Sequence, residues 1–363
     1  MVTVPGGVTL STGGLSSGTS AALAGAIQTL NASNSAFANA TVTQSSISGG
    51  SSSNATVASG TILAVAGSGN GTLNLASVSG GGTAIVTQAA GTTNTILLGA
   101  NSSSLVGLND SSNNIVNTGT GNTTIIAGAG NNTLIGTAAT GSGNSAITLG
   151  AGSGTVVAAS GNNVITAGSG ASLIGLGSGT NTVTLGANTT VFGGSGNTSI
   201  TGGTNSTVVG GSGVNTITGG AGDIIFAGTG SGGTITAGSG NETLSGGTGT
   251  GANTYVAGSG NALIAAGAGN DTIKGGTGNA TMFGGSGNDL FSFSTAGKGS
   301  SNLISNFSAN DKLTIGGYGL SAAQLLADTT TATSGSTTFS TITLPDGTKI
   351  VVVGAALTTS SFV

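Results

Sequence analysis

Histidine, cysteine, tryptophan and arginine are all missing from this 363-residue chain, proline occurs twice, and only 3% of residues are charged. Without His and Cys, the usual general bases, thiol nucleophiles and zinc or haem ligands are missing. A metalloprotease of the H-E-x-x-H kind and a Ser-His-Asp triad are both excluded, so an enzyme is not expected. Four lysines leave no basic patch for phosphates, which argues against nucleic acid as a partner. No stretch approaches 18 uninterrupted apolar residues, so no membrane span is expected. The opening MVTVPGGVTLSTGG also lacks the basic start and apolar core of a cleaved signal peptide.

What is abundant is glycine, with 74 residues, on a chain that is 36% hydrophobic. Collagen would need glycine at every third position and much proline. Disorder normally goes with low hydrophobicity and high net charge. A repetitive β structure survives both tests. The few charges are uneven: none precedes Asp110, and all four lysines (Lys274, Lys298, Lys312, Lys349) lie in the last hundred residues. A long surface with almost no charge offers little repulsion to its own copies.

Self-similarity is the dominant signal. Three consecutive nonads stand at 266–274 (AGAGNDTIK), 275–283 (GGTGNATMF) and 284–292 (GGSGNDLFS). An apolar residue keeps the same beat back to Ile147, through Met282, Ile273, Ile264, Tyr255, Leu244, Ile235, Ile225, Ile217, Val208, Ile200, Val191, Val183, Ile174, Ile165 and Val156. Sixteen steps from Ile147 to Phe291 span 144 residues, a mean of 9.0. Upstream the beat is looser, through Leu63, Leu73, Ile85, Ile96, Leu105, Ile115, Ile125 and Leu134. The Gly-Gly-x-Gly-Asn half turns the chain, because glycine enters left-handed backbone regions without steric cost. The x-x-U-x half is a short β-branched strand with its central side chain inward. Two nonads make one coil of about 18 residues. The expected fold is therefore all-β: a parallel β-roll, or β-solenoid, over 51–292, regular over 147–292, with an N-terminal arm at 1–50 and a C-terminal β cap at 293–363.

This pattern resembles the repeats-in-toxin (RTX, hemolysin-type calcium-binding repeat) family, whose unit is G-G-x-G-x-D-x-U-x. GGSGNDLFS matches every fixed position, and AGAGNDTIK misses only the first glycine. The resemblance implies calcium (Ca2+) held by the sixth-position aspartates and the turn backbone. The candidate metal residues are Gly267, Gly269, Asp271, Gly285, Gly287 and Asp289. The two aspartates lie 18 residues apart, one full coil, and should stack on one edge. The competing reading makes them solvated turn residues. Elsewhere the family's aspartate is replaced by Asn163, Asn215, Asn253, Ala262, Ala280, Thr198 and Glu242. Asparagine and threonine can hydrogen-bond along a stack without charge repulsion. One good calcium site near the C-terminal end is expected, with a weaker one near Glu242 and a calcium-independent roll before them.

The segment NLISNFSANDKLTIGGYG at 302–319 resembles the post-repeat segment of exported family members, with Asn302 and Asn306 where aspartates are usual and Asp311 kept. With the hairpin-like tail at 342–363, turning at Pro345-Asp346-Gly347, it implies an uncleaved signal for type I secretion machinery. The alternative is a plain cap, whose lysines suit an edge that must not polymerise. At the other end, Thr19–Ala40 carries Leu23, Ala26, Ile27 and Leu30 at helical spacing, and MVTVP alternates like a strand. That strand could pair with its own roll or with a neighbour.

The first functional expectation is a secreted structural protein that polymerises with itself, end to end or laterally, as a filament, surface layer or biofilm matrix. The alternative is an adhesin or ice-binding solenoid, for which Thr-x-Thr triplets at 182–184, 216–218 and 234–236 speak, though their placement along the sequence is irregular. A third reading is a chain that only buffers calcium or presents the secretion signal.

Overall fold

In the computed structural model the described residues are 111–136, 143–158, 160–247, 249–354 and 356–363, together with short strands between residues 2 and 108. The chain divides into two compact units, Met1–Thr189 and Thr190–Val363. Apart from the two-residue strands Val2–Thr3 and Thr9–Leu10 and the antiparallel strands near the C-terminal end, each is built of strands of three to seven residues that alternate between two parallel sheets, as expected of a β-roll. Short Thr-Ile-Thr strands suit this layout, because β-branched side chains pack well on a pleated surface and glycine on either side stops the strand.

In the first unit, sheet 1 runs from Thr41–Ile47 to Asn181–Thr184 and sheet 2 from Ser52–Asn54 to Leu173–Gly175. In the second unit, sheet 1 runs from Thr198–Thr201 to Lys312–Gly316 and sheet 2 begins at Thr190–Phe192. Partners are one coil apart. Ile147 faces Ile165, Ile217 faces Ile235, and Ile273 faces Phe291.

Every beat residue from Ile147 to Phe291 is at most 3% exposed. Each is worth about 1.5–3 kcal/mol of burial. Upstream, Leu73, Ile96, Ile125 and Leu134 are likewise buried, whereas Leu63 and Ile85 lie outside the residues whose side chains are described. Two upstream expectations are wrong. Val106, not Leu105, and Val116, not Ile115, point inward, and Ile115 is 37% exposed. Both sites carry adjacent apolar residues, and a slip of one position moves a strand residue to the opposite face. Val116→Ala is accordingly expected to cost about 2 kcal/mol in a chemical-denaturation experiment, and Ile115→Ala under about 0.5 kcal/mol. Equal losses would contradict this register.

The outward faces differ. On sheet 1 of the second unit, Ser199 and Thr201 pair with Thr216 and Thr218, which pair with Thr234 and Thr236. In the first unit Thr166 pairs with Thr184. Within the second unit the Thr-x-Thr triplets at 216–218 and 234–236 are therefore in register, and Ser199 and Thr201 extend the same rows although their coil is one residue shorter. On sheet 2 of the second unit the outward side chains include Phe192, Ile224, Phe226, Leu263 and Leu303, all 37–50% exposed.

At the C-terminal end, Ser301–Phe307 and Lys312–Gly316 continue the two sheets. Lys349–Gly354 then adds in parallel to Ser301–Phe307, with a bulge between Ile304 and Phe307 where Asn306 takes φ 65°. An antiparallel arm follows: Thr337–Thr343 pairs with Lys349–Gly354, and Thr329–Ser334 with Thr337–Thr343. The turn at Pro345-Asp346-Gly347 lies where expected. Asp346 accepts from Thr348 N–H (2.9 Å) and from the Tyr318 hydroxyl (2.6 Å). The Tyr318 hydrogen bond, the largest influence, holds the Asp346 carboxyl below its ordinary range. Phe362 bridges to Leu313, and Lys312 Nζ donates to the Ser360 carbonyl at 2.8 Å. The expected helix at 19–40 lies outside the described residues. The opening strand Val2–Thr3 pairs with Thr9–Leu10 in an antiparallel ladder.

Candidate metal centre

Many nonads carry two adjacent polar positions where turn becomes strand, the fifth and the sixth. They do opposite work. The fifth is an exposed asparagine whose Oδ1 accepts an N–H from the following coil. Asn270 accepts from Asn288 (2.9 Å), Asn144 from Asn162 (2.8 Å), and Asn197 from Val214 (2.9 Å). The sixth is buried, and its oxygen reaches back to the preceding coil. Asn163 accepts from Ser145 (3.1 Å), Asn253 from Gly233 (2.9 Å), Asp271 from Asn253 (2.8 Å), Asp289 from Asp271 (2.8 Å) and Asp311 from Asp289 (2.9 Å). The backbone N–H groups at the turn-to-strand boundary are thereby satisfied without any metal, as buried donors require.

The second atom of the sixth-position side chain separates the rungs. In asparagine rungs it is Nδ2, which donates to the carbonyl of the glycine two residues earlier: Asn132 to Gly130 (2.8 Å), Asn163 to Gly161 (3.1 Å), Asn215 to Gly213 (3.0 Å) and Asn253 to Gly251 (2.9 Å). An ionised carboxylate has no such proton to give. Asp223 and Asp311 resolve this within their own turns, where Oδ2 accepts an N–H from three residues earlier, Gly220 and Ser308 respectively (both 2.7 Å). Asp271 and Asp289 do not. Their turns are knit to each other instead, Ser286 N–H donating to Gly267 O (2.9 Å) and Gly269 N–H to Ser286 O (3.0 Å). Oδ2 of Asp271 and Oδ2 of Asp289 are left buried without a hydrogen-bond partner.

The glycines of these two turns repeat one backbone geometry, and positive φ also occurs in asparagine turns, as at Gly161 (+121°) and Gly179 (+96°). Gly267 and Gly269 have φ +100° and +126°, and Gly285 and Gly287 repeat them at +100° and +137°. Gly258, Gly260, Gly276 and Gly278, in acid-free turns, stay outside the left-handed region. A Cβ on Gly285 or Gly287 would run into the carbonyl of Gly267 or Gly269 below it. Only glycine meets both demands.

Asp271 and Asp289 are each 1% exposed, so they are not solvated turn residues. Burial pushes the Asp271 carboxyl up to about 6, and the nearby Asp289 charge adds to that. Asp289 is raised by burial and by Asp311. Two buried carboxylates with an unpartnered oxygen each, stacked one coil apart, call for a cation. Oxygen donors alone suit a hard one such as calcium. Among the described residues no three acidic side chains converge on one point, so the remaining ligands have to be backbone carbonyls or water. The four expected glycines and two expected aspartates do fall together at this one edge.

The expected weaker position lies on the opposite edge of the roll. Asp223 is satisfied, while Glu242 accepts from Gly240 (2.7 Å) and Gly222 (3.3 Å) through Oε1 and leaves Oε2 unpartnered. The next two rungs there are Ala262 and Ala280, which offer nothing to a metal. Sequence reasoning missed Asp311 as a third stacked acid. The Asn-Asp pair at 310–311, repeating those at 270–271 and 288–289, was the available signal.

No curated protein matches the chain. The family of RTX calcium-binding nonapeptide repeats (4 copies) matches at residues 109–141, 148–183, 200–232, 234–252 and 256–291. Together with the parallel roll and the glycine-aspartate turns, that match makes this chain an RTX-family repeat protein of the calcium-binding kind.

Proposed function

We propose that this is a secreted structural protein whose C-terminal coils are locked by calcium and whose roll self-associates as a filament, surface layer or biofilm matrix. The RTX roll is a structural, calcium-binding kind of fold and not typically catalytic, and its carriers are typically extracellular. Asp271 and Asp289 hold the ion through their unpartnered oxygens, with carbonyls of the turns carrying Gly267, Gly269, Gly285 and Gly287. The tail from 293 onward serves both as cap and as the address for type I secretion machinery.

The observation that carries the assembly reading is the outward face of sheet 2 in the second unit. From Thr190–Phe192 to Ser301–Phe307 it presents Phe192, Ile224, Phe226, Leu263 and Leu303 with no charged side chain among them, and Lys349 follows on the next strand. An apolar face with so little charge marks an interaction site, and two copies meet there with little repulsion. Electron microscopy of the full chain with calcium is expected to show ordered polymers, and Phe192→Ser with Phe226→Ser to disperse them. Monomers at every concentration and calcium level would overturn the reading. The in-register hydroxyl rows of sheet 1 favour one second reading, an ice-binding face. A solution showing no thermal hysteresis removes it.

A further inference from the structure

The strand Thr329–Ser334 has a neighbour on one side only. It pairs with Thr337–Thr343 and, among the described residues, with nothing else. Five of its six residues are exposed and the sixth is half-buried, so neither of its faces is packed. It is the outermost strand of the sheet that continues through Thr337–Thr343 and Lys349–Gly354. Its outer edge presents a row of N–H and C=O groups, the template for a further strand.

Natural edges are usually blunted by lysine, proline or a bulge. Here the pairing from Thr329↔Ile342 to Ser334↔Thr337 is unbroken. Residues 329–343 contain neither proline nor any charge. None of the C-terminal lysines sits on this strand, while Lys312 lies on Lys312–Gly316, the last strand of sheet 1. Lys274 and Lys312 lie in sheet 1, Lys349 lies in a strand paired on both sides, and Lys298 lies in a turn.

We propose that this edge is a pairing site for the same strand of a second copy, joined antiparallel about a two-fold axis near Thr331 and Ala332. Antiparallel self-pairing sets a strand against its own reverse, so any charge on it meets its like. TTTATS carries none, and it sets threonine mostly against threonine or serine, a favourable cross-strand pair. An interface of this kind is self-complementary and closes at two copies. It is a contact separate from the sheet 2 face and stands whether or not calcium binds or larger polymers form.

The test uses the full chain carrying Phe192→Ser and Phe226→Ser, which removes the sheet 2 contact, in sedimentation equilibrium with and without calcium. A reversible dimer is expected, and adding Thr331→Lys with Thr333→Lys should weaken it at least tenfold while leaving circular dichroism and the melting temperature unchanged. Because the chain has no cysteine, a mixture of Thr331→Cys and Ala332→Cys chains, whose thiols stand directly opposite in this register, should also form an intermolecular disulfide under mild oxidation. A species that stays monomeric throughout, or a dimer indifferent to the two lysines, would overturn the proposal. Failure here with polymers intact in the parent chain would leave the assembly reading standing.

Discussion

In the presence of a chelator the C-terminal coils are expected to be more stable at pH 4 than at pH 7, by up to about 3 kcal/mol, the reverse of ordinary acid denaturation. Asp271 supplies most of the effect. Its carboxyl is pushed up from 3.8 to about 6 in the folded state, chiefly by burial. A group raised on folding favours the fold while protonated. The contribution is fully present below the unfolded value near 4 and is lost as pH rises through about 6. Asp289, also raised, acts in the same direction. Asp346 acts oppositely, since its hydrogen bond from Tyr318 favours the ionised form. Calcium inverts the dependence because it binds the carboxylate form, so its affinity falls as pH drops below about 6. Thermal melts at half-unit steps from pH 4 to 7, with chelator and with calcium, give both curves. A chelated melting temperature that climbs steadily with pH would contradict the assignment.

The second large effect concerns the rung chemistry itself. Asp271→Asn is expected to stabilise the chelated protein at pH 7 by about 2–3 kcal/mol and to remove most of the stabilisation that calcium gives. The chain already contains the product of this substitution. Asn163 and Asn253 hold the equivalent position in their own coils, keep the Oδ1 hydrogen bond to the preceding coil, and spend Nδ2 on a glycine carbonyl. An amide at 271 would find Gly269 in the corresponding place. Asp271→Ala gives no such compensation, since Asn253 N–H would lose its acceptor at a buried position, at a cost of about 1–3 kcal/mol. The opposite signs for asparagine and alanine separate a metal-site aspartate from a merely structural one. Urea unfolding followed by circular dichroism, with and without calcium, measures both.

Much of this is legible in the residues. The nine-residue beat marks a large buried apolar residue in every strand from Ile147 to Phe291, because glycine leaves few alternatives on either side. The 18-residue separation of Asp271 and Asp289 equals one coil, so their stacking follows from arithmetic. Other features could not be read this way. At 105–106 and 115–116 two apolar neighbours compete, and only strand register decides between them. The Thr-x-Thr rows are hidden by variable coil length, being aligned by pairing rather than by residue count. The fifth-position asparagines look like ordinary turn residues until the hydrogen bonds show them reaching forward along the stack. The distinction between Asp271 and Asp311, alike in sequence, lies in turn backbone: an N–H three residues earlier satisfies one and not the other.

The central claim is that the cation belongs to the stacked Asp271–Asp289 edge and that asparagine replaces it elsewhere. Hydrogen exchange by mass spectrometry on the full chain, with and without calcium, tests it most directly. Calcium should slow exchange in peptides covering 266–292 and the strand at 312–316, while peptides covering 145–218, held by Asn163, Asn181 and Asn215, exchange at the same rate in both conditions. Protection spread evenly over the asparagine coils, or none at 266–292, would contradict the account.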